Sequence, residues 1–200
     1  MTTNDTNATR LADKPEAATK ELQTLWDKEE IRSAMYRYAR GVDRRDYDLV
    51  RSVYHSDAYD DHGSYKGNVD GLIDWLSRRH VFIEQSMHII CHTHIDFLAD
   101  EIAVAENYVI VPQRYPSTAQ ETIRAWVGDK AVGIDERLKV IMYVRMIDRF
   151  EKRGGQWKIA RRAVVVEDVD AKLIKVSNES PVSMEQIRGP GDAIYTFLRG

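Results

Sequence analysis

The sequence predicts an α+β fold: three N-terminal helices packed in a strongly curved, mostly antiparallel sheet, together forming a cone-shaped barrel with its mouth at one end. Three observations carry this. Apolar residues recur at helical spacing in three segments before residue 84. From Ser86 to Val169 the chain turns to long β-rich runs, the last two joined by a Gly-Gly turn. The first of those runs, Ser86–Phe97, has two distinct faces. Met87, Ile89, Cys91, Thr93, Ile95 and Phe97 form an almost wholly apolar row, while His88, Ile90, His92, His94 and Asp96 form the other. Three imidazoles on one side of one strand are unusual for a solvated face, so either this face lines a working cavity or the histidines sit by chance on a solvated sheet.

Residues 1–17 are polar and without period, and read as a flexible arm. The main domain is expected over residues 18–170, with a tail of residues 171–200. Helical period begins at Ala18; Leu22, Leu25 and Trp26 open an apolar face that Ile31, Met35, Tyr38 and Val42 continue. Asp46 has the character of an N-cap for a short second helix, Tyr47–Tyr54. A strand, Ala58–His62, ends at Gly63. The third helix is expected from Val69 to about Ile83, with Leu72, Ile73, Leu76 and Phe82 inward. After the histidine strand, Asp100-Glu101 turns the chain into Ile102–Val111, where Pro112 restricts the strand or places it at an edge. Thr118–Val127 reads as a further strand and residues 128–136 as a loop. Leu138–Glu151 is a long strand, turned at Gly154-Gly155 into the antiparallel run Gln156–Val169. Ile194, Tyr195, Phe197 and Leu198 suggest that the tail packs on its own subunit or a neighbouring one.

At 200 residues the chain is long enough for one domain with a sizeable core. The net charge of −3 without a basic segment argues against a nucleic-acid partner, and no apolar run approaches the roughly 20 residues of a membrane span. A single cysteine, Cys91, rules out an intrachain disulfide and a cysteine-based zinc motif. With no secretory signal pattern at the N-terminus, a cytoplasmic protein is expected.

Asp43 falls at the C-terminal end of the first helix, bordering its apolar stripe. A carboxylate is disfavoured there by the helix dipole and by desolvation, unless Arg44 or Arg45 offsets both. Its bland reading is a solvated helix end paired with those arginines. Tyr38, five residues earlier, lies on the buried face where Phe or Leu would serve packing alone; its bland reading is a core tyrosine. His88 opens the histidine face, and an imidazole held by a carboxylate is a suitable general base near pH 7. Around these three candidate catalytic residues, His62 and Asp60 share strand parity and are candidates for substrate binding, with His92 and Tyr54. Arg145 is a candidate for an anionic substrate group, an outward salt bridge being the alternative. His92-Thr93-His94 also has the spacing that offers two imidazoles to one metal.

Four segments in order resemble the SnoaL-like family of the nuclear-transport-factor-2-like superfamily: Tyr38-Ala39-Arg40-Gly41-Val42-Asp43-Arg44-Arg45-Asp46-Tyr47, Asp57-Ala58-Tyr59-Asp60-Asp61-His62-Gly63, Met87-His88, and Asp148-Arg149-Phe150-Glu151 followed by Gly-Gly-Gln-Trp-Lys-Ile. The resemblance spans roughly Glu21 to Asp170. Its nearest enzymatic likenesses are scytalone dehydratase, hexachlorocyclohexane dehydrochlorinase and bile-acid 7α-dehydratase. It implies a cone-shaped α+β barrel and a His–Asp pair that removes a proton with neither metal nor organic cofactor. Gly41-Val42-Asp43 matches the dehydrochlorinase segment that carries its aspartate, His88 falls on the catalytic histidine, and Tyr38 has the spacing of the bile-acid enzyme's tyrosine. His62 stands where scytalone dehydratase places a substrate-polarising tyrosine; that enzyme's second active-site histidine has no clear counterpart.

The function so implied is a cofactor-independent lyase, dehydratase-like, on a small apolar cyclic, steroid-, terpenoid- or polyketide-like substrate. Alternatives are an isomerase in the same pocket, a non-catalytic ligand-binding or assembly module, and, more remotely, the structural small subunit of a ring-hydroxylating dioxygenase. The outward apolar row of the histidine strand implies a covering subunit, and the resemblance favours a homotrimer over a dimer.

Overall fold

The computed structural model describes residues 6–129, 132–175 and 187–199, with side chains from residue 18. Helix α1 spans Thr6–Arg44 and α2 spans Tyr47–Ser52. Between them the chain makes a tight reversal: Asp46 N–H donates to Gly41 O (2.8 Å) and Arg45 N–H to Val42 O (3.3 Å), with Arg45 in the left-handed region (φ 55°). These are the two bonds of a Schellman stop. Asp46 then caps α2, its carboxylate accepting from Leu49 N–H at 3.0 Å. Gly41 is required at this corner, since a Cβ there would lie 2.7 Å from Val50 Cγ2.

Strand β1 (Tyr54–Asp61) forms a ribbon with β2 (Lys66–Asn68), and α3 follows over Val69–His80, capped by Asn68. Strands β3 (Gln85–Ser86) and β4 (Ile89–Ala99) both pair with one edge of β5 (Ile102–Tyr115). Helix α4 (Gln120–Val127) leads to β6 (Glu136–Arg153), β7 (Gln156–Lys175) and a last helix, α5 (Ala193–Arg199). The sheet order is β2-β1-β7-β6-β5-β3, antiparallel except for β1 against β7. It is strongly curled around the helices, the mixed α+β cone expected. One face of α1 fills it: Ile31, Ala34, Met35, Tyr38, Ala39 and Val42, at helical spacing, are all buried. Each large apolar side chain so buried contributes about 1.5–3 kcal/mol.

Several expectations are revised. Helix α1 is already formed at Thr6; Ala8, Leu11, Ala12 and Ala17, with Arg10, Lys14 and Glu16, are good helix formers within a segment that otherwise reads as polar. Residues 1–5 of the expected arm lie outside the described residues, as do residues 176–186 and Gly200 of the tail. Leu22, Leu25 and Trp26 are exposed, so the packed stripe starts only near Asp27 and Ile31. The second helix stops at Ser52, which puts Tyr54 on β1. Thr118–Val127 is helical at its core instead of extended; its β-branched residues suggested a strand, whereas Ile123, Trp126 and Val127 pack at i, i+3, i+4. Strand β7 runs on to Lys175 because Val169, Ala171 and Leu173 cover a second small core around Leu138, Val140 and Ile123.

Candidate active site

The C-terminal end of α1 places Asp43 beside the start of the sheet's edge strand. Oδ1 of Asp43 lies 2.7 Å from His88 Nδ1 and accepts from Ser86 Oγ at 3.1 Å; Oδ2 accepts from the His88 backbone N–H at 2.8 Å. The reason is local. Met87 N–H points into the sheet, to Pro112 O at 3.2 Å, so the next amide points off the edge, where a polar group must meet it. Asp43 supplies that group, and its side chain and that of His88 are 10% and 7% exposed. With the carboxylate serving as acceptor, Nδ1–H of the ring is the donor and Nε2 is left with the lone pair. Among the described residues Nε2 makes no hydrogen bond.

Tyr38 lies one turn and a half back along α1, its ring edge-on to His88 with centroids 6.3 Å apart and edge-on to Tyr54 at 6.2 Å. The Tyr38 hydroxyl is buried and has no hydrogen-bond partner within 3.5 Å among the described residues. Burial, with nearby carboxylates, holds its phenol well above the ordinary value despite the opposing Arg162 charge, so it is a neutral hydroxyl at physiological pH. An orphaned buried hydroxyl costs about 1–3 kcal/mol, which marks the position as kept for something other than packing.

Behind Tyr38 runs a continuous buried polar network. Arg162 is fully buried on β7, its guanidinium 4.0 Å from the centre of the Tyr38 ring. It donates twice to Asp148 of β6, at 2.6 and 2.9 Å, and once to the Tyr54 hydroxyl at 3.0 Å. Tyr54 in turn donates to Asp60 (2.7 Å), whose other oxygen lies 2.8 Å from His62 Nδ1. On the far side Asn107 donates to Asp148 at 3.0 Å and accepts from Thr93 at 2.7 Å. Burial opposes ionisation of Asp60, but the hydrogen bond and charge of His62, with Arg162 and Tyr54, outweigh it and lower its pKa. The Asp148 carboxylate likewise keeps Arg162 charged in spite of complete burial. Tyr38 therefore sits between two His–Asp pairs, His88–Asp43 and His62–Asp60.

The histidine strand does not keep one parity. A bulge at Cys91, where the register passes from Ile90–Val109 to His92–Tyr108, swaps its faces. Ile95 and Phe97, expected outward, pack into the core, and His92 and His94, expected inward, face out. His92 stacks on Tyr108 (4.8 Å) and His94 pairs with Asp96 (3.2 Å) in solvent, so neither lines the site. Arg145 is also outside, bridging Glu106 and Glu167 at 2.7 Å each. No group of three His, Cys, Asp or Glu side chains converges as metal ligands among the described residues.

Sequence reasoning missed Ser86, Asp148, Asn107, Arg162, His80 and Arg188. Asp148 had a legible signal, since it alternates with Met146 and Phe150 on the inward side of β6. Arg162 did not: a shift in register between Arg149–Arg161 and Phe150–Ile159 turns Arg162 inward where alternation from Ile159 points to Arg161.

The SnoaL-like domain model matches residues 23–163. Comparison with curated protein sequences finds no significant match. Among solved structures, a scytalone dehydratase candidate from Novosphingobium aromaticivorans superposes with a TM-score of 0.59 at 18% identity, covering 82% of this chain and 97% of its own. A type 2 hexachlorocyclohexane dehydrochlorinase gives a TM-score of 0.64 at 13% identity, over 82% of this chain and 99% of its own. An aromatic ring hydroxylase candidate from N. aromaticivorans gives 0.58 at 19%, over 74% and 94%. At these identities the likeness is one of fold.

Proposed function

Since the chain belongs to the SnoaL-like domain family, we propose that it is a lyase that removes a proton from carbon without a cofactor, acting on a small, largely apolar cyclic substrate. The observation that carries the reading is the Asp43–His88 pair at 2.7 Å beside the unpartnered, buried hydroxyl of Tyr38. His88 Nε2 takes a proton from carbon next to an activating carbonyl. The C–H electron pair becomes a C=C bond, the C–O bond on the neighbouring carbon breaks, and the departing hydroxyl leaves as water after receiving a proton from Tyr38 or from His62. Asp43 orients the ring and stabilises the imidazolium, a contribution that for general bases amounts to about 10²- to 10⁴-fold. The dehydratase and dehydrochlorinase named among the structural neighbours support elimination as the reaction type. A second reading, isomerisation, is favoured by the second pair, His62–Asp60 at 2.8 Å, which could return the proton at another carbon.

The test is incubation of the purified protein with cyclic β-hydroxyketones and enones in D₂O, followed by NMR. Elimination yields the enone; isomerisation yields a shifted double bond with deuterium at the carbon that receives the returned proton. His88→Ala is expected to abolish either signal, and parent-rate turnover by that variant would overturn the assignment. Ile89, Tyr108 and Tyr143, exposed neighbours on the outer side of the sheet, support a homo-oligomer, proposed as a trimer and measurable by light scattering. Among the described residues no helix is long and apolar enough to cross a membrane.

A further inference from the structure

Arg188, which precedes α5, is 7% exposed, and among the described residues no carboxylate bonds its guanidinium. All five of its N–H groups are used. Nε donates to Asp43 O (2.9 Å) and Nη2 to Val42 O (3.2 Å), both in the last turn of α1. Nη1 donates to His80 O (3.4 Å) and Ile83 O (2.9 Å) at the end of α3 and just beyond it, and Nη2 also to His80 Nδ1 (2.7 Å). One cation thus bonds carbonyls at two helix ends, where the dipoles favour positive charge. Its own backbone is held in return: Arg45 donates to Arg188 O at 2.7 and 3.3 Å, Arg44 pairs with Asp192 at 3.0 Å, and Tyr195 donates to Asp46 at 2.9 Å.

The two backbones that Arg188 joins are the ones that carry the dyad. Asp43 belongs to the last turn of α1, and Ile83 lies five residues before His88. Arg44 and Arg45, the sequence-level partners for Asp43, are turned to the C-terminal segment instead, and residue 188 adds a buried positive charge at the helix end. We infer that Arg188 is a positioning residue that sets the separation of Asp43 and His88, so that the C-terminal segment is part of the site and not an appendage. The inference rests on the reading of His88–Asp43 as the working pair.

The experiment uses the full chain and needs no substrate. A ring N–H held by a carboxylate is shielded from exchange and resonates far downfield in the proton NMR spectrum; His88→Asn assigns that signal by its loss. In the parent protein the signal is expected, together with slow exchange of the His88 amide that also bonds to Asp43. In Arg188→Ala both should go, with amide exchange faster by roughly tenfold or more and an unchanged circular-dichroism spectrum. Arg188→Lys, with three donors in place of the fork, should be intermediate, and it decides the matter if the alanine variant does not fold. A loss of thermal stability with the His88 ring signal and amide exchange both unchanged would overturn the inference, since it would make Arg188 a structural staple only. If the parent lacks the ring signal, the dyad reading falls by itself, and the His88 amide, slow in the parent and fast in the variants or equally slow in all, still decides whether Arg188 holds the two segments together.

Discussion

Asp43 holds His88 twice, by the ring at 2.7 Å and by the backbone amide at 2.8 Å, so ring orientation and main-chain position are set by one carboxylate. A single hydrogen bond would leave the imidazole free to swing about it. Two bonds from separate oxygens, with Ser86 Oγ on one of them at 3.1 Å, remove that freedom before any substrate binds.

Asp43→Asn is therefore more than a loss of charge. The new NH₂ must face a donor, the His88 amide on one side or Ser86 and the ring N–H on the other. Turnover is expected to fall by about 10²-fold or more, and stability by about 1–3 kcal/mol. Urea titration and single-turnover rates check the two halves separately.

Tyr38→Phe separates function from stability. The hydroxyl has no hydrogen-bond partner among the described residues, so its removal should leave stability unchanged or raise it by up to about 1 kcal/mol. If the hydroxyl meets the substrate oxygen, turnover drops by about 10²-fold. A clear loss of stability in calorimetry would assign Tyr38 to the core instead.

Arg162→Met leaves the buried Asp148 carboxylate with Asn107 alone and should cost about 3–5 kcal/mol. Replacing both partners, as Arg162→Met with Asp148→Leu, is expected to cost less than either single change, because no uncompensated charge remains. A double-mutant cycle in denaturant measures the difference.

Folding stability should decline as pH falls below about 6.5, and His80 is the cause. It is 2% exposed, and burial first, then the charges of Arg188 and Arg79 and of His88 and His62, depress its pKa to about 2. The depressed value means that the unfolded chain takes up a proton the folded one refuses, so stability is complete above pH 6.5 and is lost through the window from 6.5 towards 2. The slope is about 1.4 kcal/mol per pH unit for this one group. In His80→Asn, whose side-chain oxygen can still accept from Arg188, the decline of Tm between pH 6.5 and 5 should be shallower.

Much of the fold was legible in the chain. The buried stripe of α1 follows from spacing at Ile31, Met35, Tyr38 and Val42, and Asp46 declares its cap by residue type and place. The errors fall where local signals conflict. At α4, β-branched residues suggest a strand, while tertiary packing of Ile123, Trp126 and Val127 makes a helix. At Leu22, Leu25 and Trp26 an apolar pattern continues beyond the sheet that would cover it.

The sequence by itself determined the fold class and the cone, because helical phase and strand alternation are short-range periods that a chain carries within itself; it also singled out Tyr38, Asp43, Asp60, His62 and His88, whose side chains form two His–Asp pairs with Tyr38 between them. Only the tertiary structure decided which histidine faces inside. One bulged residue at Cys91 leaves composition unchanged and reverses the side chains from His92 to Phe97, so His92 and His94 face out although His88 faces in. It also decided what holds the site: Arg162 reaches Asp148 across a β-ladder, and Arg188 reaches Val42 and Asp43 from 146 and 145 residues away. Contacts at such separations depend on where whole elements come to rest, and no local pattern encodes that.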